Sequence, residues 1–395
     1  MINGQGERHM PIDVHGTVAE GFEGVREEFA AVLAGERDDP GAQLVVYRHG
    51  RRVVDLWGGD GIDGDSLTTL YSIAKGAAHL VVALLVQDGV LDLDREVAAY
   101  WPEFGTHGKA RLTLGELLEH RAGLVSDPEQ PFTVEELADD RVVAARLATR
   151  RPLWEPGSAW GYHAFVIGAL TGEVVRRATG RSIQELYEER IRAPYGLDHH
   201  LGLPAAAEPR WVDVQPLVPT PQEAALLKER AAAPDSIRGI AFNAHGPAPT
   251  DLVAFGNHPR VKALGPASSG GVGNARGVAG MYAAAISTVD GRPPLLTPAT
   301  AALFGELRTP GGPDLVTGSE NHFARGFEHT PALYPFLDPG TFGHSGATGS
   351  LGFADPANGI AYAYTRRRFS FPSGVGAAPE NGRLAQSVLR AAASL

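Results

Sequence analysis

The chain has 395 residues, of which 43% are hydrophobic and 21% are charged, so it holds enough apolar material for at least one large core. Its 35 basic and 46 acidic residues give a formal net charge of −11, which disfavours general nucleic-acid binding. The absence of cysteine excludes disulfides, thiol nucleophiles and cysteine-ligated metal centres.

Sequence features that would send the chain into or across a membrane are not expected. The N-terminal segment Met1–Ile12 lacks the apolar core of a secretory signal. The sequence also has no run of about 18 apolar residues that would span a bilayer. We therefore expect a cytoplasmic protein with no membrane partner.

The first third of the chain predicts a helix, a hairpin and a buried helix. Apolar residues recur at helical spacing over Glu20–Ala34. Two runs rich in β-branched residues, Gln43–Arg48 and Arg52–Trp57, flank the turn His49-Gly50 and predict an antiparallel hairpin. The segment Ser72–Gln87 is apolar, rich in alanine and free of proline, which predicts a helix buried on most sides.

The rest of the chain predicts helices first and strands later. Further helices are predicted over Thr113–His120, His163–Ala178, Ser182–Ile191, Val278–Ser287 and near Arg383–Ala393. Short strands are predicted around Phe323–Phe327, Phe342–His344, Ser350–Ala354 and Ile360–Tyr364. The glycine-rich run Gly270–Gly273 is interpreted as a turn bordering a pocket, because no βαβ unit surrounds it as a dinucleotide site would need.

This order of elements predicts a mixed α/β (α+β) fold. An antiparallel sheet would form from the N- and C-terminal parts and be flanked by helices, with a mostly helical domain inserted between them. We place the sheet domain at residues 1–90 plus 265–395 and the helical domain at residues 91–264. The active site is expected at the interface of the two domains.

The first candidate for chemistry is the pair Ser72 and Lys75. Residues three apart share a helix face, so the Lys75 amine can reach the Ser72 hydroxyl. A serine becomes nucleophilic beside a base, and a desolvated lysine can be that base. The alternative is that Ser72 only caps the helix. An unpaired ammonium on a buried helix would be costly, which favours the catalytic interpretation.

The second candidate is Tyr162, placed between Trp154–Gly157 and a predicted helix. A tyrosine at such a junction can relay a proton if cationic neighbours lower its pKa. The alternative is an aromatic side chain that packs over the end of the helix.

The third candidate is the run Gly343–Ala347. Its glycines allow the backbone to approach a substrate closely, and the N–H of Ala347 could form one arm of an oxyanion hole. The alternative is a glycine-rich hairpin in which His344 is merely exposed.

Other catalytic designs find little support. No serine satisfies G-x-S-x-G, so an α/β-hydrolase nucleophile elbow is not indicated. The sequence has no H-E-x-x-H motif, and its 14 histidines are scattered, so no metal site is predicted.

Taken together, these residues resemble the serine hydrolases of the β-lactamase and penicillin-binding-protein fold, and most closely the family VIII carboxylesterases, which are similar to class C β-lactamases. The resemblance spans roughly residues 41–392. Its markers are Leu70–Lys75 with the S-x-x-K motif, the block Leu112–Leu124, the segment Pro156–Ala164, and Gly343–Gly346.

Two departures from the β-lactamase pattern bear on the substrate. Tyr162-His163-Ala164 stands where β-lactamases have Tyr-x-Asn, and His344-Ser345-Gly346 stands where they have Lys-Thr-Gly. The resemblance implies that the missing asparagine would hold the side-chain amide of a β-lactam and the missing lysine its carboxylate. Antibiotic hydrolysis is therefore expected to be at most a weak activity, whereas family VIII esterases tolerate both changes.

The sequence thus predicts a serine hydrolase that cleaves carboxylic esters of small molecules through an acyl-enzyme on Ser72, without a cofactor or metal. Lys75 and Tyr162 would share the removal of the serine proton, and the N–H groups of Ser72 and Ala347 would bind the oxyanion. His344 would orient Tyr162 or the alcohol by a hydrogen bond. The neighbouring residues Ser345 and Gly346 would complete the substrate site.

Four alternatives stay open from the sequence. An acyltransferase of secondary metabolism would use the same acyl-enzyme with an acceptor other than water. A D-amino-acid amidase or peptidase, or a weak β-lactamase, would use the same residues on other substrates. A catalytically inactive ligand-binding relative is the non-enzymatic alternative. The sequence leaves the oligomeric state open.

Overall fold

Two antiparallel sheets organise the chain, which a computed structural model describes over residues 12–319, 322–371 and 376–395. The strands are β1 (Val14–Val18), β2 (Ala42–Arg48), β3 (Arg51–Gly58), β4 (Thr68–Tyr71), β5 (His199–His200), β6 (Gly271–Gly273), β7 (Phe342–Ser345), β8 (Leu351–Asp355) and β9 (Ile360–Arg366). The larger sheet has the order β1-β3-β2-β9-β8-β7, and the smaller sheet has the order β4-β6-β5.

Helices account for most of the remaining regular structure. They are α1 (Glu23–Gly35), α2 (Ile73–Gln87), α3 (Val97–Tyr100), α4 (Leu114–Leu118), α5 (Val134–Leu137), α6 (Asp140–Leu147), α7 (Ile167–Thr179), α8 (Ile183–Tyr187), α9 (Ala193–Tyr195), α10 (Pro221–Glu229), α11 (Ile237–Ala241), α12 (Leu252–Asn257), α13 (Pro259–Leu264), α14 (Ala275–Ile286), α15 (Pro298–Gly305), α16 (Thr330–Leu333) and α17 (Glu380–Ala393). Within the described residues, none of these helices is both long and apolar enough to cross a membrane.

The predicted hairpin is confirmed, and so is the single sheet shared by both ends of the chain. Strands β2 and β3 pair around His49 and Gly50, which have φ angles of 47° and 76°. Positive φ at both central residues suits the twist of a two-residue hairpin. On its other edge β2 pairs with β9, with Ala42 opposite Arg366, and this pairing joins the two ends of the chain.

Both faces of the larger sheet are covered, which explains why the consecutive residues Leu44–Val46 of β2 are all apolar. Leu44 and Val46 pack in one core cluster with Phe29 of α1 and Val388 of α17. Val45, between them, belongs to the other cluster, which contains α2 and α14. Successive side chains of a strand point to opposite faces, so a strand segment covered on both faces buries apolar side chains at consecutive positions.

Three predictions of secondary structure are wrong. Gly270–Gly273, predicted as a turn, contributes β6 to the smaller sheet. A side chain at Gly273 would lie 2.5 Å from the Asp198 carbonyl, so glycine is required by close packing rather than by a turn. The run Phe323–Phe327, predicted as a strand, makes only a single bridge from Phe323 to Glu328. The helix predicted from His163 begins at Ile167.

The helices α3 to α13 lie between residues 97 and 264, within the segment predicted as the helical domain. Strand β5 also lies in that segment but pairs with β6 from the C-terminal part. The division of the chain into two domains stays a prediction.

Candidate active site

Ser72 stands at a sharp junction between β4 and α2. Tyr71, the last residue of β4, has a φ of 49°, which is uncommon for a residue with a bulky side chain. The Tyr71 hydroxyl donates to the carbonyl of Leu252 at 2.7 Å, and its ring packs edge-on against Phe369. These contacts hold a strained residue next to Ser72, as is common where a fold positions a functional group.

The Ser72 side chain does not cap α2. The residue has helical angles, φ −67° and ψ −8°, and its hydroxyl accepts no hydrogen bond from a backbone N–H of the first turn of the helix. Instead, Ser72 Oγ lies 3.0 Å from Lys75 Nζ and 2.7 Å from Tyr162 Oη. The structure therefore brings together the three residues that the sequence singled out, and the capping alternative does not describe Ser72.

Lys75 is fully buried, and its nitrogen has three polar neighbours. Besides Ser72 Oγ, Lys75 Nζ lies 2.7 Å from the carbonyl oxygens of Ala164 and Ser268. Burial lowers the pKa of Lys75 from 10.5 to about 7, against an opposing effect of Glu328. A substantial share of the molecules therefore carries a neutral amine near neutral pH, and this share grows as the pH rises.

The two carbonyl oxygens also determine where the lone pair of that amine points. Carbonyls only accept hydrogen bonds, so a neutral Lys75 must donate its two N–H groups to Ala164 and Ser268. The lone pair is left facing Ser72 Oγ, the third neighbour. The neutral amine is thus oriented to accept the serine proton.

Tyr162 is held as a neutral phenol. Burial raises its pKa above the ordinary value of 10, and the charge of Glu328 raises it further, while the hydrogen bond with Ser72 opposes this. The sequence-based condition that cationic neighbours would lower this pKa is therefore not met. Lys75 Nζ lies 4.8 Å from the ring centroid, but the neutral amine adds little cationic field. Tyr162 is suited to donate a proton rather than to remove one.

The ring and backbone of Tyr162 are fixed by the surrounding residues. Its ring stacks on Phe323 with centroids 5.8 Å apart, and its N–H donates to Asp314 Oδ2 at 3.0 Å. His120, in the block Leu112–Leu124 that marks the family resemblance, packs its ring 5.5 Å from that of Tyr162. His120 Nδ1 also accepts the N–H of His163 at 3.1 Å. This block therefore supports the position of Tyr162.

A cleft with an empty volume of about 490 Å³, including the part open to solvent, lies over Ser72. Its described lining residues are Tyr71, Ser72, Tyr162, Ala164, Phe165, Phe242, Leu252, Ser269, Glu328, Ser345, Gly346, Ala347 and Gly376. Ser345, Gly346 and Ala347 thus line the cleft as the sequence predicted. Among the described residues, no cluster of three or more His, Asp or Glu side chains is placed to hold a metal ion.

The backbone N–H groups of Ser72 and Ala347 have no acceptor among the described residues of the protein. Both residues line the cleft and are partly exposed. The N–H of Gly346, the residue before Ala347, is already engaged, because it donates to the carbonyl of Ser350. The oxyanion hole formed by Ser72 and Ala347 stays a prediction that this arrangement permits.

The role predicted for His344 is wrong. His344 is fully buried and does not line the cleft, and its Nδ1 donates to the carbonyl of Ser345 at 2.9 Å. No hydrogen bond joins it to Tyr162, whose ring centroid is 6.1 Å away. Side chains alternate along a strand, so Ser345 facing the cleft turns His344 into the interior. Burial lowers the pKa of His344 well below its usual value, so the imidazole is neutral.

Glu328 lines the cleft, and the sequence analysis missed it. Its two carboxylate oxygens accept the N–H of Ser345 at 2.8 Å and the hydroxyl of Ser345 at 2.7 Å. Burial raises the pKa of Glu328, while these hydrogen bonds and Lys75 oppose that effect. Its backbone pairs with Gly343 of β7, and no periodic pattern marks this pairing in the sequence.

Comparison with known proteins identifies relatives over most of the chain. The chain matches the beta-lactamase family over residues 26–386. "Esterase/beta-lactamase LipL" of Mycobacterium tuberculosis is 32% identical over 375 residues, covering 91% of this chain and 84% of that protein. The predicted family resemblance is confirmed.

Solved structures agree with these matches in sequence. EstA from Arthrobacter nitroguajacolicus Rue61a is 40% identical, with a TM-score of 0.86, over 98% of this chain and 99% of that chain. A family VIII carboxylesterase is 31% identical, with a TM-score of 0.83, over 96% of this chain and 100% of that chain.

Proposed function

This chain belongs to the β-lactamase family, and from that premise we propose that it is a carboxylesterase-type serine hydrolase that cleaves esters of small molecules through an acyl-enzyme on Ser72. One observation carries the assignment of the residues: Ser72 Oγ, at the base of the cleft, lies 3.0 Å from a buried amine and 2.7 Å from a phenol. The names of the relatives described above support an ester as the substrate.

Acylation begins when neutral Lys75 accepts the proton of the Ser72 hydroxyl as Oγ attacks the ester carbonyl carbon. The carbonyl π electrons move to the oxygen, whose negative charge is stabilised by the N–H groups of Ser72 and Ala347. As the C–O bond to the alcohol breaks, Tyr162 donates its proton to the leaving oxygen. Lys75 returns the captured proton to Tyr162, and the acyl-enzyme remains.

Deacylation follows the same path in reverse. Water enters in place of the alcohol and loses a proton to the Tyr162 and Lys75 pair while its oxygen bonds to the acyl carbon. The acid leaves when Ser72 Oγ recovers a proton. An acceptor alcohol in place of water would give acyl transfer by the same residues, so product partition distinguishes this alternative.

A substrate panel tests the function. We expect p-nitrophenyl esters of acyl chains from two to eight carbons to be hydrolysed with kcat/KM values ~10²-fold or more above those for the matching p-nitroanilides and for nitrocefin, because the described lining of the cleft contains neither the asparagine nor the lysine that the family resemblance associates with β-lactam binding. Steady-state kinetics at pH 8 measures these ratios. Faster turnover of nitrocefin or of a D-amino-acid amide than of every ester would contradict the proposal.

Removing the phenolic hydroxyl of Tyr162 tests its role as proton donor. We expect Tyr162→Phe to lower kcat for ethyl butyrate, whose alkoxide is a poor leaving group, by ~10²–10³-fold with little change in KM, because proton donation to the leaving oxygen is needed only in the transition state. Tyr195→Phe, on the surface away from the cleft, is the control. A loss of less than threefold would limit Tyr162 to packing.

The cytoplasmic location expected from the sequence stays a prediction, and the small-molecule ester is the only partner that we propose.

A further inference from the structure

Glu328 is the only residue with a charged side chain among the described residues that line the cleft. The others contribute hydroxyls, glycines and apolar groups. The apolar wall, formed by Ala164, Phe165, Phe242 and Leu252, screens a charge less than water does. A single carboxylate therefore dominates the electrostatic field that a bound ester experiences.

The carboxylate of Glu328 is fixed in place at the C-terminal end of β7. Ser345 donates both its N–H and its hydroxyl to the two oxygens of Glu328, at 2.8 Å and 2.7 Å. Two such donors favour the ionised form of the carboxyl group. The side chain keeps 22% of its surface exposed, so its charge faces the solvent and ligands of the cleft rather than the core.

Within the described part of the chain, the ionisable groups around Glu328 supply no fixed positive charge to cancel it. His344 Nδ1 lies 3.5 Å from Glu328 Oε1, but burial keeps this imidazole neutral by lowering its pKa. The pKa of buried His120, behind Tyr162, is lowered in the same way. Asp314, which holds the N–H of Tyr162, adds no cation. Lys75 is the one lysine that the described residues place nearby, and it is neutral in the form that accepts the serine proton.

The charge lies on the side of the cleft where the alcohol leaves. Tyr162 donates a proton to the leaving oxygen in the proposed reaction, so the alcohol portion must lie beside the phenol. Glu328 and Tyr162 line the same cleft, and the His344 ring contacts both: its centroid lies 6.1 Å from that of the phenol, and its Nδ1 lies 3.5 Å from Glu328 Oε1. The part of the substrate that departs with the alcohol therefore lies nearest to the carboxylate.

We propose that Glu328 makes the alcohol side of the cleft selective for esters of ammonium-bearing alcohols and unfavourable for esters of carboxylate-bearing alcohols, an inference that rests on the ester-hydrolase function proposed above. A lysine in the position of His344 would have attracted a substrate carboxylate. Here that position is a neutral, buried imidazole, and the adjacent Ser345 presents an anion instead. The charge that faces the substrate is therefore negative, where a lysine would have made it positive.

Three butyrate esters of similar size test the proposal in a pH-stat assay at pH 8. They are butyrylcholine, its neutral isostere 3,3-dimethylbutyl butyrate, and 4-(butyryloxy)butanoate. We expect kcat/KM to be ~10-fold or more higher for butyrylcholine than for the neutral ester, and ~10-fold or more lower for the carboxylate ester, because a carboxylate a few ångströms away acts through a medium of low dielectric constant.

The variant Glu328→Gln keeps the size of the side chain and an acceptor for Ser345 but removes the charge. We expect it to bring the three kcat/KM values within ~3-fold of one another, while Glu208→Gln, outside the cleft and paired with Lys262, leaves the wild-type ratios unchanged. A purely structural role would lower all three values together and preserve their ratios, which would overturn the proposal.

Ionic strength provides a second measurement that needs no variant. Raising the salt concentration from 20 mM to 500 mM should reduce the wild-type preference for butyrylcholine by about threefold or more, because the cleft is open to solvent ions. Equal wild-type rates for the cationic and carboxylate esters at low salt would overturn the proposal. If none of the three esters, including the neutral one, is hydrolysed, the ester-hydrolase function fails and this inference fails with it.

Discussion

Replacing Ser72 with alanine is expected to lower kcat/KM for p-nitrophenyl butyrate by ~10⁴-fold or more, because the acyl-enzyme can no longer form. No other hydroxyl in the described part of the cleft is flanked by both a buried amine and a phenol. The Ser345 hydroxyl, for example, donates to Glu328. Steady-state kinetics, with the enzyme concentration taken from absorbance, measures the loss.

The matched control for this variant is Ser387→Ala. Ser387 is a buried serine that lies on α17 and contacts the carbonyl of Gly24 on the far side of the larger sheet. Its replacement should leave kcat/KM within about twofold of the wild type, as expected for a site without contact to the cleft. Activity of Ser72→Ala above ~1% of the wild-type value, in protein free of wild-type contamination, would contradict the assignment of the nucleophile.

Replacing Lys75 with methionine is expected to lower kcat by ~10⁴-fold, because the variant keeps the volume of the side chain and removes the base. The wild type should show a kcat/KM that rises with pH through about 7 and then levels, because the neutral amine is the active form and burial lowers the pKa of Lys75 to about 7. The residual activity of the variant should lack this step.

Lys262→Met serves as the control for Lys75→Met. Lys262 is another largely buried lysine, but it pairs with Glu208 and packs over Trp211 outside the cleft. Circular dichroism and thermal unfolding of both variants separate loss of the base from loss of the fold, since Lys75→Met also leaves the carbonyls of Ala164 and Ser268 without a donor. A wild-type pH profile that is flat between pH 5.5 and 9 would contradict a neutral Lys75 as base.

The elements that the sequence predicted well are those whose contacts follow from local periodicity. The β2–β3 hairpin has apolar runs and a two-residue turn at His49 and Gly50, and α2 has a long apolar segment without proline. The smaller sheet could not be predicted, because its strands are two to four residues long and pair across the chain, as β5 does with β6. Strand β6 is rich in glycine because Asp198 lies against it, and this neighbour is distant in sequence.

In the candidate site, too, local spacing could be predicted from the sequence and long-range pairing could not. The spacing of Ser72 and Lys75 follows from one helical turn, so the proximity of these two side chains could be predicted. The proximity of Tyr162 to Ser72 could not be derived from their spacing in the sequence. The family resemblance alone indicated that these two side chains act together. The role predicted for His344 was wrong because the face of β7 that points to the cleft depends on the register with β8, which only the structure shows. Glu328 was missed because it reaches the cleft through a pairing with β7 that has no local signal.

The identity of the nucleophile is tested most directly by mass spectrometry of the protein after reaction with a fluorophosphonate probe. The chain contains no cysteine, so no thiol competes for the probe. We expect one adduct per chain, located by peptide mapping on Ser72, formed more slowly in Lys75→Met and absent from Ser72→Ala. An adduct on another residue of the cleft, such as Ser345, or labelling of Ser72→Ala at the wild-type rate, would contradict Ser72 as the nucleophile.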